Sequence, residues 1–160
     1  MIKGVQHFSF TVSNLQETLH FFCDLLGLEA TPVREVKGER IEQILQIPAA
    51  SLLISNVTTP DNGNLELIEY VAPEGAKIDL KTCNVGVAHL ALEVDDIQKM
   101  YDDLSAKGVK FHHAPLWAGA GALKGWGISY LKGPDGITLE FMEAPKGVKL
   151  HPATGFPVEA

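Results

Sequence analysis

Two histidines and two glutamates stand out because each lies in an otherwise apolar, β-prone stretch: His7 in VQHFSFTV, Glu66 in NLELIEY, His89 in VAHLALEV and Glu140 in GITLEFM. A carboxylate in such a run is costly to bury unless it is paired or holds a metal. Imidazole nitrogen and carboxylate oxygen together suit a divalent ion such as Fe, Ni, Co, Mn or Zn. Four such donors in octahedral geometry leave two adjacent positions for water or substrate. The chemistry therefore needs a scaffold that turns all four side chains to one side.

Strand parity supplies that scaffold. Phe8, Phe10 and Val12 are expected to face a helix, which leaves His7 on the other face. Leu65 and Leu67 do the same for Glu66, and Glu69 goes with the leucines near the strand end. In the second half Leu90, Leu92 and Val94 leave His89 opposite, and Ile137, Leu139 and Phe141 leave Glu140 opposite. One His and one Glu then project from the non-helical face of a curved sheet in each half. Two such sheets side by side would gather His7, Glu66, His89 and Glu140 around one divalent ion.

The elements repeat along the chain. After the strand at Val5 to Val12, Asn14 and Glu17 form a capping box for a helix whose Leu15, Leu19, Phe22 and Leu26 share a face, closed by Gly27. An irregular strand broken by Pro32 follows, then a short helix at Glu39 to Gln46, a strand at Ser51 to Val57, a polar turn and a strand at Leu65 to Tyr70. At Val87 to Val94 the pattern begins again, with Asp95 or Asp96 as cap and Ile97, Met100, Tyr101 and Leu104 on one helical face before Gly108. Placing His89 on His7 superposes Val94 on Val12 and Ile97 on Leu15 at a constant offset of 82 residues. The second copy continues with strands at Val109 to His113 and Ile128 to Lys132, then the turn Gly133 to Gly136 and the strand carrying Glu140. The chain reads as an α+β protein of two tandem βαβββ modules, residues 1–72 and 87–143. They are joined by a linker, 73–86, and followed by a tail, 144–160, expected to lie along the surface or to be mobile.

Bulk properties narrow the function. The 160 residues carry thirteen basic against twenty acidic side chains, a net charge of -7, which disfavours nucleic acid and anionic membranes and leaves a small molecule as the expected partner. Cys23 and Cys83 lack CxxC spacing, so neither a disulfide framework nor a thiolate zinc site is indicated. The first residues lack a secretory pattern and no apolar run approaches the ~20 residues of a membrane span, so a cytoplasmic protein is expected.

The segments HFSFTVSNLQETLHFF, LELIEY, VAHLALEVDDI and GPDGITLEF resemble the vicinal oxygen chelate superfamily, which includes glyoxalase I, methylmalonyl-CoA epimerase, extradiol dioxygenases and the fosfomycin and bleomycin resistance proteins. The resemblance covers roughly residues 4–143. It implies paired βαβββ modules forming a cupped mixed sheet with helices outside, a metal at His7, Glu66, His89 and Glu140, and a homodimer. The implied activity is proton transfer of the glyoxalase I or methylmalonyl-CoA epimerase type through a metal-stabilised enediolate or enolate, with Glu140 as base and Glu66 as acid. Two departures shape that expectation. Bacterial glyoxalase I has an arginine soon after its first His and an asparagine just beyond its first Glu, and neither stands here, which disfavours glutathione as substrate. Extradiol dioxygenases resemble the set His, His, Glu, so Glu66 disfavours ring cleavage, although an Fe(II) or Mn(II) dioxygenase and a non-catalytic resistance-type binder are the alternative readings.

Three further features need placing. His112 or His113 would be the acid-base residue of a dioxygenase, against the plainer reading of exposed histidines at a strand end. The loop 118–127, AGAGALKGWG, is either a lid bringing Trp117, Trp126 and Lys124 to a ligand or a surface crossover, and lacks the GKS or GKT of a phosphate-binding loop. Cys23 is expected to be a partly buried structural thiol.

Overall fold

A computed structural model describes residues 1–151 and 155. Of the C-terminal tail, 144–160, residues 152–154 and 156–160 lie outside these residues. The chain forms two compact units, Met1–Ile78 and Asp79–Ala160, each built on its own five-stranded mixed sheet. Among the described residues no helix is long and apolar enough to cross a membrane.

In the first unit β1 (Phe8–Val12) leads into α1 (Leu15–Leu19), which runs on as a π-helical stretch, His20–Leu25. Then come β2 (Glu29–Ala30), β3 (Arg34–Lys37), α2 (Glu39–Leu45), β4 (Ser51–Thr58) and β5 (Asn64–Ala72). The sheet order is β1-β5-β4-β2, with β3 also on β4; β1 and β5 are parallel and the other pairings antiparallel. The second unit runs β6 (His89–Glu93), α3 (Ile97–Ala106), β7 (Lys110–Phe111), β8 (Leu116–Trp117), β9 (Gly127–Lys132) and β10 (Thr138–Glu143). Its order, β6-β10-β9-β7 with β8 also on β9, repeats the first unit strand for strand. This is the expected α+β pair of βαβββ modules.

The second strand of each module is split, and the cause is the same in both. Pro32 and Pro115 lie in the two breaks, where a missing N–H ends the ladder. Beneath each break a fully buried serine on the neighbouring strand donates its hydroxyl to a carbonyl of the diverging chain: Ser55 to Thr31 at 2.7 Å and Ser129 to His113 at 2.9 Å. The short strand β8 lay outside the sequence expectation, because two residues are too few for a β pattern.

Each helix starts as its sequence dictates. Asn14 accepts from the Glu17 N–H, and of the two candidate caps in the second module it is Asp96 that accepts, from the Lys99 N–H. A second, unforeseen acceptor meets the starts of α1 and α3. Glu69 accepts from the Leu15 N–H at 2.6 Å and Glu143 from the Ile97 N–H at 2.8 Å. These bonds fix the faces, since Glu69 shares parity with Leu65 and Leu67, and Glu143 with Leu139 and Phe141, all four apolar side chains being buried. Glu66 and Glu140 therefore turn away from the helices.

Two details depart from expectation. The buried side of the first helix is Leu15, Thr18, Phe21 and Phe22 rather than Leu15, Leu19, Phe22 and Leu26. The π-helical turn inserts extra residues per revolution and so rotates the later side chains off the 3.6-residue stripe. On β1 only Val12 is buried, while Phe8, on the same face, is 61% exposed, because the strand lies at its sheet's edge.

Candidate metal centre

The four predicted side chains fall into two pairs, one in each unit. In the first, parallel pairing sets Ser9 opposite Glu66, so His7, two residues earlier, sits diagonally from the carboxylate. In the second, Ala91 stands opposite Glu140 and His89 is again two residues earlier. Register alone thus brings each His to its Glu: His7 Nε2 lies 3.6 Å from Glu66 Oε2, and His89 Nε2 lies 3.1 Å from Glu140 Oε2. Two ligands of one metal, each about 2.1 Å from it and at right angles, lie ~3 Å apart. The His89–Glu140 pair fits that spacing, the His7–Glu66 pair is wider, and both supply nitrogen and oxygen donors of the right kind. Among the described residues no group of three or more His, Cys, Asp or Glu side chains is gathered as a metal cluster.

The surroundings of the two pairs differ. Glu140 is 7% exposed. Its antiparallel neighbour on β9 is Tyr130, which stands directly opposite it. Burial, then the neighbouring Glu140 carboxylate, push the Tyr130 phenol up to about 12, so it keeps its proton. The Tyr130 ring lies 5.5 Å from that of His89, and on its other side His112 stacks at 6.2 Å. In the first unit the residue opposite Glu66 is Asn56. Arg34 approaches both, with Nη1 donating to Asn56 Oδ1 at 2.8 Å and Nη2 lying 3.4 Å from Glu66 Oε1. His7 Nδ1 is engaged by the side chain of Gln6.

The remaining candidates are placed as follows. His112 belongs to the aromatic row beside Glu140, whereas the Nδ1 of His113 is turned to the carbonyl of Ala114 at 2.7 Å. Trp126 is buried and Trp117 is exposed on β8. Cys23 is half-buried, and burial followed by the charge of Asp24 pushes its thiol up, away from nucleophilic character. Sequence reasoning missed Glu69 and Glu143 as helix-start acceptors, and Arg34, Asn56 and Tyr130 as neighbours of the pairs. The glutamates left a signal, since Leu65-Glu66-Leu67-Ile68-Glu69 and Leu139-Glu140-Phe141-Met142-Glu143 share the pattern LExxE.

A profile of the glyoxalase/bleomycin resistance protein/dioxygenase superfamily matches residues 4–141, and the chain belongs to that superfamily. It is 29% identical over 155 residues to a 2-epi-5-epi-valiolone epimerase of Actinomyces sp., covering 94% of this chain and 85% of the relative. It is 26% identical over 140 residues to a lactoylglutathione lyase of Arabidopsis thaliana, covering 86% of this chain but 43% of that longer protein. A glyoxalase family protein of Bacillus cereus shares the fold, with a TM-score of 0.76 at 21% identity over 91% of this chain and 96% of that one.

Proposed function

We propose that this protein is a divalent-metal-dependent enzyme that moves a proton on the carbon beside a carbonyl, in the manner of an epimerase or a glyoxalase, on a small substrate presenting two vicinal oxygens. The observation that carries the reading is the repetition of one His–Glu pair, at one diagonal register, in both modules. The identity with an epimerase along nearly the whole chain supports the reaction type. His7, Glu66, His89 and Glu140 would hold the ion. When bound there, it would polarise the substrate carbonyl and stabilise negative charge developing on its oxygen.

The chain's own residues account for the proton. Inverting a carbon beside a carbonyl needs a base to take the proton and an acid to return one. Glu140 is the better base, because it is nearly buried and its neighbours are an imidazole and a neutral phenol. Tyr130, opposite the carboxylate on the next strand, is a neutral phenol that would steady its aim. Glu66, with the Arg34 guanidinium beside it, is the better fixed ligand; to serve as the partner acid it would first leave the ion and take a proton from solvent.

The test is deuterium exchange at the α-carbon of small hydroxy-ketones in heavy water, followed by NMR with the metal-loaded protein. The reading expects exchange that depends on added metal and is lost in Glu140→Gln. Oxygen uptake with a catechol and no exchange would replace it by ring cleavage, and ligand binding indifferent to metal removal would replace it by a non-catalytic binder.

A further inference from the structure

We infer that Arg34 is a specificity residue that binds an anionic oxygen group of the substrate, a phosphate or a carboxylate, beside the His7–Glu66 pair. The inference rests on the reading of that pair as part of a metal-dependent substrate site. Arg34 lies on β3 opposite Ile54, and Asn56, two residues along β4, stands opposite Glu66. Arg34, Asn56 and Glu66 therefore cross three strands on one face, the face turned away from the helix.

The guanidinium is held in place without being consumed. Its firm anchor is neutral: Nη1 donates to Asn56 Oδ1 at 2.8 Å, and Asn56 in turn donates to Asn64 Oδ1 at 3.0 Å. Its contact with Glu66, 3.4 Å, exceeds the about 2.7–2.9 Å of a full charge-assisted bond. A guanidinium carries five N–H donors in a rigid fork suited to carboxylate and phosphate, and these contacts engage two of them. The side chain is 50% exposed, so the remaining donors have access to a ligand.

The second module shows that the scaffold does not require this cation. Ile128 takes the place of Ile54 two residues before the neighbour of the glutamate, and its partner on β8 is Leu116. The lysine on the corresponding face, Lys132, is spent on structure. Its ammonium donates to Thr138 Oγ1 at 2.7 Å and Gly136 O at 3.2 Å, and meets Leu80 O at 3.4 Å. With a net charge of -7, the chain as a whole repels anions, and a fixed cation next to the His7–Glu66 pair offsets this for one small group.

Three related compounds test the inference: dihydroxyacetone, its phosphate ester and hydroxypyruvate, which share a hydroxy-ketone and differ in the anionic group. Their dissociation constants are measured by calorimetry with wild type, Arg34→Gln and Arg34→Lys, each zinc-loaded and zinc-stripped. Zinc-loaded wild type is expected to bind one of the two anionic compounds at least ~10-fold more tightly than dihydroxyacetone. Which of the two gains separates phosphate from carboxylate. In Arg34→Gln the preference should shrink to within about 2-fold, and Arg34→Lys should recover part of it. An equal preference in wild type and Arg34→Gln, no preference in wild type, or no binding of any of the three would overturn the inference. A preference that depends on Arg34 but not on zinc would leave the anion site standing and remove the metal reading, whereas zinc binding without such a preference would do the reverse.

Discussion

The two modules share their sheet order, split strand and helix-start bonds and differ in what surrounds the carboxylate. Each has a split second strand pinned by a buried serine, a helix start met by the last glutamate of an LExxE segment, and a His diagonal to the first glutamate. Around that glutamate the first module sets an amide and a guanidinium, and the second a phenol flanked by two imidazoles. The insertions differ likewise: between the split strand and its successor the first module carries α2, the second a glycine-rich loop. Duplication thus fixes where donors stand, and the neighbours decide what each donor does. Glu140 is a nearly buried carboxylate opposite a neutral phenol, and Glu66 a carboxylate beside a guanidinium.

The largest test of this difference sets Glu140→Gln against Glu66→Gln. Glu140→Gln is expected to lower kcat by about 10³-fold or more with KM changed only a few-fold, because it removes a group needed mainly in the transition state. Glu66→Gln is expected to act first through weakened metal binding, so that excess metal restores part of its activity. Steady-state kinetics across a metal series separates the two, and identical behaviour of the variants would break the assignment of roles.

A smaller effect tests the sameness of the frames. Glu69→Gln and Glu143→Gln each weaken a carboxylate bond to a helix-start N–H and should each lower stability by about 1–2 kcal/mol in urea unfolding. A loss confined to one of them would show that the modules are not held alike. Ser55→Ala and Ser129→Ala, which each leave a carbonyl in the strand break without its donor, should cost about 1 kcal/mol each in the same measurement. A neutral result at both would remove the serines from the account of the split strands.

Much of this frame was legible in the sequence because strand parity and capping are local. His7, Glu66, His89 and Glu140 follow from alternation, and Asn14 from the capping pattern. The face of the first helix was misread because the π-helical turn at His20–Leu25 leaves no mark in a 3.6-residue pattern. Glu69 and Glu143 were legible as a repeated motif, yet their role depends on the helix start coming within 3 Å of a strand end, at 2.6 and 2.8 Å. Arg34 and Tyr130 were not legible at all. Arg34 is 32 residues from Glu66, and only the antiparallel register of β3, β4 and β5 makes them neighbours. Tyr130 meets Glu140 through the register of β9 with β10.

If His7, Glu66, His89 and Glu140 hold one ion, as proposed, a Co(II) titration of the stripped protein reveals it. Optical absorption or calorimetry would follow wild type, His7→Ala and His89→Ala. The expected result is one tight site per chain, weakened at least ~10-fold by the loss of either histidine. Binding that depends on one histidine and ignores the other, or no binding in wild type, would contradict it.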